Sequence, residues 1–266
     1  MTDLKELIEV VKSVGSNLKD IHVKGSSVSS KEGYSNFVTK YDKLTQDALE
    51  KAFKEHWPEY KFIAEEQDED QALSDEPTFI VDPIDGTNNF MFAIPISAIS
   101  VALVEKQETV QAVIYNFFTD DLYYAEKGKG AYLNGEKLKV SDLPMSESLF
   151  GLGTSPYYPE TLDSVASLLK QLIPLTVDIR RLGSSAIDLP YVAAGKFGGF
   201  CELRLQVWDF AAAMLICKEA GAIISDLEQN EIDLAAGPSD IIVACPRVYK
   251  EFFEKVDLSE INLKAL

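Results

Sequence analysis

The chain has 266 residues, 46% of them apolar and 26% charged, enough to bury a sizeable core in one compact α/β unit or in two tightly packed halves. Its 25 Lys and Arg against 43 Asp and Glu leave a formal charge of −18, which disfavours non-specific binding to nucleic acid or to an anionic membrane surface. No stretch reaches the length of a transmembrane span, and the N-terminal "MTDLKELIEVVKSVG" is amphipathic with early acids, unlike a secretory leader.

Leu4, Leu7, Ile8, Val11 and Val14 recur at helical spacing over residues 3–19. "SSVSSKEGYS" breaks that pattern and reads as a loop or short irregular strands. A second helix is expected from about Asp42 to His56, with Leu44, Ala48, Leu49 and Phe53 on one face and Pro58 as its stop. "KFIAEE" reads as a short strand ending in acids, and "QDEDQALSDEP" as an exposed acidic loop. "TFIVD" is a strand expected to end at Asp82, because Pro83 has no N–H for the ladder. "ISAISVALVEK" and "TVQAVIYNFF" follow as neighbouring strands with a polar turn at Gln107-Glu108. "LYYAEKGKGAYLNGEKL" adds two short strands. Gly128 and Gly130 are not a phosphate loop: no helix pattern follows them, and Asn134-Gly135 is a hairpin signal.

The pattern changes near Ser141. Strand and helix signals then alternate through "SLFGLGT", "ETLDSVASLLKQLI", "TVDIRRLG", "SSAIDLPYVAAGK", "GGFCELR", "DFAAAMLICKEAGA" and "IIVACP". The expected organisation is an α+β half at 1–140 with an antiparallel sheet and most of the site, and an α/β half at 141–266. Cys201, Cys217 and Cys245 lack metal-ligand spacing and read as reduced, buried thiols of a cytoplasmic protein. His22 and His56 sit in no catalytic pattern.

Three stretches carry the chemistry. In "VDPIDGTNNF" an apolar strand runs into Asp82 and Asp85, which can face one space across the turn, with the Ile84 carbonyl between them. Two close carboxylates repel unless neutralised, and Mg²⁺, a hard cation preferring oxygen ligands, does this well. Taken alone, the spacing fits a solvated surface turn equally well. "FIAEE" places Glu65 and Glu66 at another strand end. "VWDFAAAMLICKEAGA" places Asp209 at a helix start, where it would cap and could also ligate.

"DPIDGTNNF" together with "WDFAAAMLICKEAGA", in this order and at this separation, resembles the signature pair of the inositol monophosphatase family of Mg²⁺-dependent phosphatases. The likeness extends through "NFVTKYD", "FIAEE" and "YYAEKGKGAYLNGEKL", over roughly residues 30–245. The resemblance implies a layered α-β-α-β-α sandwich of the sugar phosphatase type and a homodimer. It implies that Glu65, Asp82 and the Ile84 carbonyl hold one Mg²⁺ and that Asp82, Asp85 and Asp209 hold a second. A weaker third ion is implied near Glu65, with Lys31 close to it, and Ca²⁺ or Li⁺ would inhibit. Asp42, Thr87 and Glu65 would form the catalytic set, Thr87 and Asp42 pairing to orient and deprotonate the attacking water. The backbone N–H groups of Gly86 and Thr87 would cradle the phosphate of a small phosphorylated substrate. Glu202 and Asp209 would complete the substrate site, Glu202 by bonding a hydroxyl of a polyol.

The sequence departs from the family pattern where Gly-Glu-Glu-Ser is replaced by Ala64-Glu65-Glu66-Gln67, and in the neighbours of Glu202 in "GKFGGFCELRLQ". Both changes bear on substrate identity more than on chemistry. Inositol monophosphate leads. NADP and fructose 1,6-bisphosphate remain open, and Asn88-Asn89 weighs against adenosine 3′,5′-bisphosphate. No Ser, Cys or His is placed as a nucleophile, so no phosphoenzyme is expected. A reading of another class, a non-catalytic regulatory binding protein on this fold, has the clustered acids against it.

Overall fold

In the computed structural model, which describes residues 2–21, 23, 28–30, 37–67 and 72–262, the first half of the chain runs α1 (Leu4–Gly15), β1 (Val28–Ser30), β2 (Phe37–Thr39), α2 (Lys40–His56), β3 (Lys61–Ala64), β4 (Thr78–Asp85) and the short α3 (Thr87–Met91). It continues through β5 (Ala98–Glu105), β6 (Glu108–Asn116), β7 (Asp121–Glu126), β8 (Gly130–Leu133) and β9 (Glu136–Lys137). The second half runs β10 (Leu149–Leu152), α4 (Leu162–Leu172), β11 (Asp178–Arg180), α5 (Ser185–Ala193), β12 (Gly199–Leu205), α6 (Val207–Ala220), β13 (Ile223–Ser225), β14 (Ser239–Ala244) and α7 (Pro246–Lys255).

Strand pleating sorts the core. In β4, Phe79 and Val81 join one apolar cluster and Ile80 another. In β5, Ile99, Val101 and Leu103 follow the first, while Ala98, Ala102 and Val104 follow the second. Both faces of the sheet are therefore buried, and its strands read as continuous apolar runs rather than as an apolar/polar alternation. β3 to β9 form this sheet in sequence order, all antiparallel except the parallel β3–β4 pair. The second sheet has the order β11-β10-β12-β14-β13 and is mixed: β10 is parallel to β11 and β12, whereas β14 is antiparallel to β12 and β13.

α1 and α2 cover the outer face of the seven-stranded sheet, where Phe53, Trp57 and Phe79 pack ring against ring. Phe79 is fully buried there, and its truncation to alanine would cost about 3–5 kcal/mol. α5 and α6 fill the space between the sheets, and α4 and α7 close the far face of the five-stranded sheet. The layering is α-β-α-β-α. Phe210, Ala211, Ala212 and Ala213 of α6 are all buried, because the middle of a helix between two sheets has no solvent face and small side chains let both sheets approach.

Several boundaries differ from the sequence reading. β4 does not stop at Asp82 but runs through Pro83 to Asp85. Asp82 pairs with Ser100 and Asp85 with Ala98, so one residue is bulged out and the missing N–H of Pro83 costs no ladder bond. The β5–β6 turn is Lys106-Gln107, both at positive φ, rather than Gln107-Glu108, because Glu105 pairs with Glu108. β9, β13 and α7 had no place in that reading. Cys201, Cys217 and Cys245 are buried free thiols. Among the described residues no helix is long and apolar enough to cross a membrane. His22, Lys31 and residues 68–71 of the acidic loop lie outside the described residues.

Candidate active site

The bulge that lets β4 pass through Pro83 also brings its two acids together. Asp82 and Asp85 are buried, and with Asp209 each offers an oxygen such that all three lie within 4.8 Å of one another. Asp209 is not the N-cap expected of it. Gln206 is the cap, and Asp209 is the third residue of α6, where its Oδ2 accepts the Gln206 N–H at 2.8 Å in a capping box. Asp82 Oδ1 accepts the Ile84 N–H at 2.9 Å, and Asp85 Oδ2 accepts the Ala186 N–H at 3.0 Å. Asp85 Oδ1 is buried and meets no hydrogen-bond partner among the described residues.

Burial and mutual repulsion show in the acidities. Asp82 is pushed well above the usual carboxylate range by burial and then by the charges of Glu65, Asp85 and Asp209. Asp209 is raised in the same way by burial and by Asp85 and Glu65. Asp85 is raised to about 6 by burial, moderated first by the nearby Ser184 hydroxyl and then by the Ala186 N–H. An all-oxygen donor set with an orphaned buried carboxylate oxygen fits a hard divalent cation, which removes both the repulsion and the orphan.

Glu65 follows β3 and lines the same cavity, of about 350 Å³, although it falls outside the three-carboxylate cluster. Gln67, which stands where the family resembled has serine, folds back on its own strand: its Oε1 accepts the Ala64 N–H at 3.3 Å and its Nε2 donates to the Phe62 carbonyl at 3.2 Å.

Thr87 begins α3 directly after Gly86, whose φ of 81° is left-handed backbone that glycine adopts without strain. Thr87 Oγ1 lies 2.9 Å from Asp42 Oδ1 and 3.1 Å from the Ile84 carbonyl. Asp42 is fully buried in the first turn of α2. Its Oδ2 accepts from Thr39 N at 2.8 Å and Thr39 Oγ1 at 2.6 Å, a capping box that locks the carboxylate toward Thr87. Burial raises the Asp42 pKa above the usual carboxylate range, against these hydrogen bonds.

Glu202 reaches the cavity from β12, which carries a bulge between Glu202 and Leu205, with Arg204 at a φ of 55°. Glu202 Oε1 accepts the Ser155 N–H at 3.1 Å and Oε2 the Ser185 hydroxyl at 2.9 Å. Gly153 makes room for it, since a Cβ there would stand 2.0 Å from the Glu202 carboxyl carbon.

The rest of this wall was missed by the sequence reading. Arg204 stacks on Tyr158, 4.2 Å from the ring centroid, and pairs with Glu160. Tyr157 lines the mouth, its hydroxyl acidity suppressed by partial burial and by the facing acids Glu65 and Asp209. Arg181 donates to Thr154 Oγ1 at 3.2 Å. Asp188, the fourth residue of α5, also lines the cavity. The one available signal was an acid set between Ile187 and Leu189 in an otherwise apolar helix.

A family model described as the inositol monophosphatase family matches residues 2–257. A Rhizobium meliloti protein named inositol-1-monophosphatase is 37% identical over 237 residues, 88% of this chain and 89% of that protein. An Escherichia coli K12 protein named Nus factor SuhB is 34% identical over 223 residues, 84% of this chain and 83% of that one. Among solved structures, a Thermotoga maritima IMPase superposes with a TM-score of 0.84 at 29% identity, covering 95% of this chain and 96% of that one.

Proposed function

The chain belongs to the inositol monophosphatase family, a metal-dependent family of phosphatases, and from that premise we propose that it hydrolyses small polyol phosphate monoesters, inositol monophosphate first among them, with Mg²⁺. The observation that carries this reading is the Thr87–Asp42 hydrogen bond of 2.9 Å opening onto the same cavity as the Asp82, Asp85 and Asp209 cluster. A proton acceptor thus stands beside a cation site, as direct attack by water requires.

Asp82, Asp85 and Asp209 would hold one ion. Asp82, Glu65 and the Ile84 carbonyl would hold another, with a third more weakly bound near Glu65. Bound Mg²⁺ supplies charge neutralisation and a water acidic enough to be deprotonated near neutral pH.

The protein's own groups do the rest. Thr87 Oγ1 accepts the proton of the attacking water as its own passes to Asp42 Oδ1, which the Thr39 bonds hold in place. The Gly86 and Thr87 N–H groups hold the phosphate oxygens. Glu202, fixed by Ser155 and Ser185, orients the leaving alcohol. The Ser155 hydroxyl donates to the Leu203 carbonyl and the Ser185 hydroxyl to Glu202, which this reading assigns to the alcohol, so attack is by water in a single displacement. The test is phosphate release from inositol 1-phosphate, fructose 1,6-bisphosphate and NADP, with Mg²⁺ and with chelator. Metal-dependent release ranked highest for inositol 1-phosphate is expected, and a higher kcat/KM on NADP or the bisphosphate would reassign the substrate.

A second reading takes its cue from the Escherichia coli relative named a Nus factor: a non-catalytic regulatory role on the same fold. Asp85→Asn separates the two, since turnover needs that carboxylate and partner binding does not. The reading extends to a cytoplasmic homodimer inhibited by Li⁺ or Ca²⁺. A monomer in size-exclusion chromatography at micromolar concentration would remove the dimer from it.

A further inference from the structure

Asp188 is 3% exposed, and its Oδ1 has no hydrogen-bond partner among the described residues, although it lines the catalytic cavity. It stands one helical turn after Ser184 and Ser185 on the same side of α5, and Ser185 is the residue that donates to Glu202. The Gly183 N–H faces its carboxyl group, and the Arg181 guanidinium faces both Asp188 and Glu202. The two acids therefore form one wall, but their hydrogen-bonding states differ. Both oxygens of Glu202 are engaged by the protein. Asp188 keeps one oxygen unengaged.

A buried polar atom left without a partner costs about 1–3 kcal/mol, and a carboxyl group beside two other acids costs more. Packing alone does not call for this. The flanking Ile187 and Leu189 are apolar and buried, and a leucine at 188 would fill similar space without the penalty. What relieves the penalty is a hydrogen-bonding group of a ligand in the cavity. Asp188 faces Glu202 first and Asp85 second, so it stands between the carboxylate cluster and the acid that takes the leaving alcohol in the reading above.

We propose that Asp188 is a specificity-determining residue that hydrogen-bonds a second hydroxyl of the leaving polyol, next to the one bound by Glu202. The proposal rests on the polyol phosphatase reading. It makes the wall a reader of two hydroxyl groups, with Arg181 balancing the charge of the two acids from outside. Alcohols with one hydroxyl or none beyond the ester would gain nothing from it.

The test is a double cycle of enzyme and substrate. Asp188→Leu and Asp188→Asn are assayed with Mg²⁺ against inositol 1-phosphate, its monodeoxy derivatives each lacking one ring hydroxyl, and p-nitrophenyl phosphate. Thermal melts accompany the kinetics. Asp188→Leu should lower kcat/KM on inositol 1-phosphate about ten- to a hundredfold, mainly through KM, as expected for a hydrogen bond to an ionisable group. One deoxy derivative should lose most of that difference, and p-nitrophenyl phosphate should change by less than about threefold. Asp188→Asn, which keeps shape and a hydrogen-bonding pair, should recover part of the loss, and it serves alone should the leucine variant not fold. The Tm of either variant should equal or exceed that of the wild type.

Equal losses on every substrate would make Asp188 a support for the α5 start, and unchanged ratios would leave it bonded to water alone. Either result overturns the assignment. A wild type that cleaves p-nitrophenyl phosphate but no polyol ester would instead sink the polyol reading, and this proposal with it.

Discussion

The floor of the cavity comes from two contiguous stretches, Asp82–Thr87 and Gln206–Asp209, joined by Glu65 and Asp42. Its wall is gathered from Gly153–Tyr158, Arg181–Asp188 and Glu202–Arg204. On the floor, acids sit close to acids and one oxygen of Asp85 has no partner. On the wall, the acid of β12 is bonded on both oxygens and a serine links it to α5. In the reading proposed above, cations would complete the floor and hydroxyl groups the wall. Two β-bulges, in β4 and β12, aim the side chains in each case.

This difference should appear first in variants of the floor. Asp85→Asn should remove measurable turnover and raise the Mg²⁺ concentration needed for thermal stabilisation. Turnover at wild-type rate would show that the cluster is not a catalytic cation site. Next, Asp42→Asn should reduce kcat about 10²–10⁴-fold with little change in KM, because Asn cannot take the proton that Thr87 passes on. A drop confined to KM would place Asp42 in binding instead.

Substitutions in the wall should have smaller effects that depend on the substrate. Gly153→Ala puts a Cβ 2.0 Å from the Glu202 carboxyl carbon and forces that side chain to move. It should raise KM for inositol 1-phosphate and cost about 1–3 kcal/mol of stability in urea titrations, with p-nitrophenyl phosphate cleavage nearly preserved. An unchanged KM would mean that Glu202 does not touch the alcohol.

The mildest expected effect is on the stability of the metal-free protein. Asp82 and Asp209 are raised well above, and Asp85 to about 6 from, an ordinary value near 4. The folded state therefore holds these protons more tightly than the unfolded chain. Their contribution is fully present below about pH 4 and is lost as pH rises through 6 and beyond. In chelator, Tm should fall between pH 5.5 and pH 8, and Mg²⁺ should flatten that slope. A slope equally steep with and without Mg²⁺ would detach the cation from these acids.

The floor left local signs in the sequence, which fit a solvated surface turn equally well until the resemblance to a family was added. Asp82 and Asp85 are three residues apart at the end of an apolar run, and Asp209 opens an alanine-rich helix. Even there the local rule for Pro83 misplaced the strand end. The register with β5 absorbs the proline in a bulge, and a pairing register is a property of two strands. The Thr87–Asp42 hydrogen bond spans 45 positions, and only the resemblance to a family suggested it beforehand.

The wall had no comparable signal. Tyr157, Arg181 and Asp188 belong to stretches that read as an ordinary loop, strand and helix, and their meeting depends on how β10, β11 and β12 order in the second sheet. The sequence by itself determined the buried strands, the helices with an apolar stripe and the acids at strand ends, because periodicity and turn chemistry act over a few residues. Tertiary structure decided which oxygens are engaged and which are left open, since hydrogen-bond saturation depends on partners supplied from distant parts of the chain. That is why the resemblance to a family could suggest a role for Glu202, while Asp188 drew notice only once its orphaned oxygen was seen in the cavity.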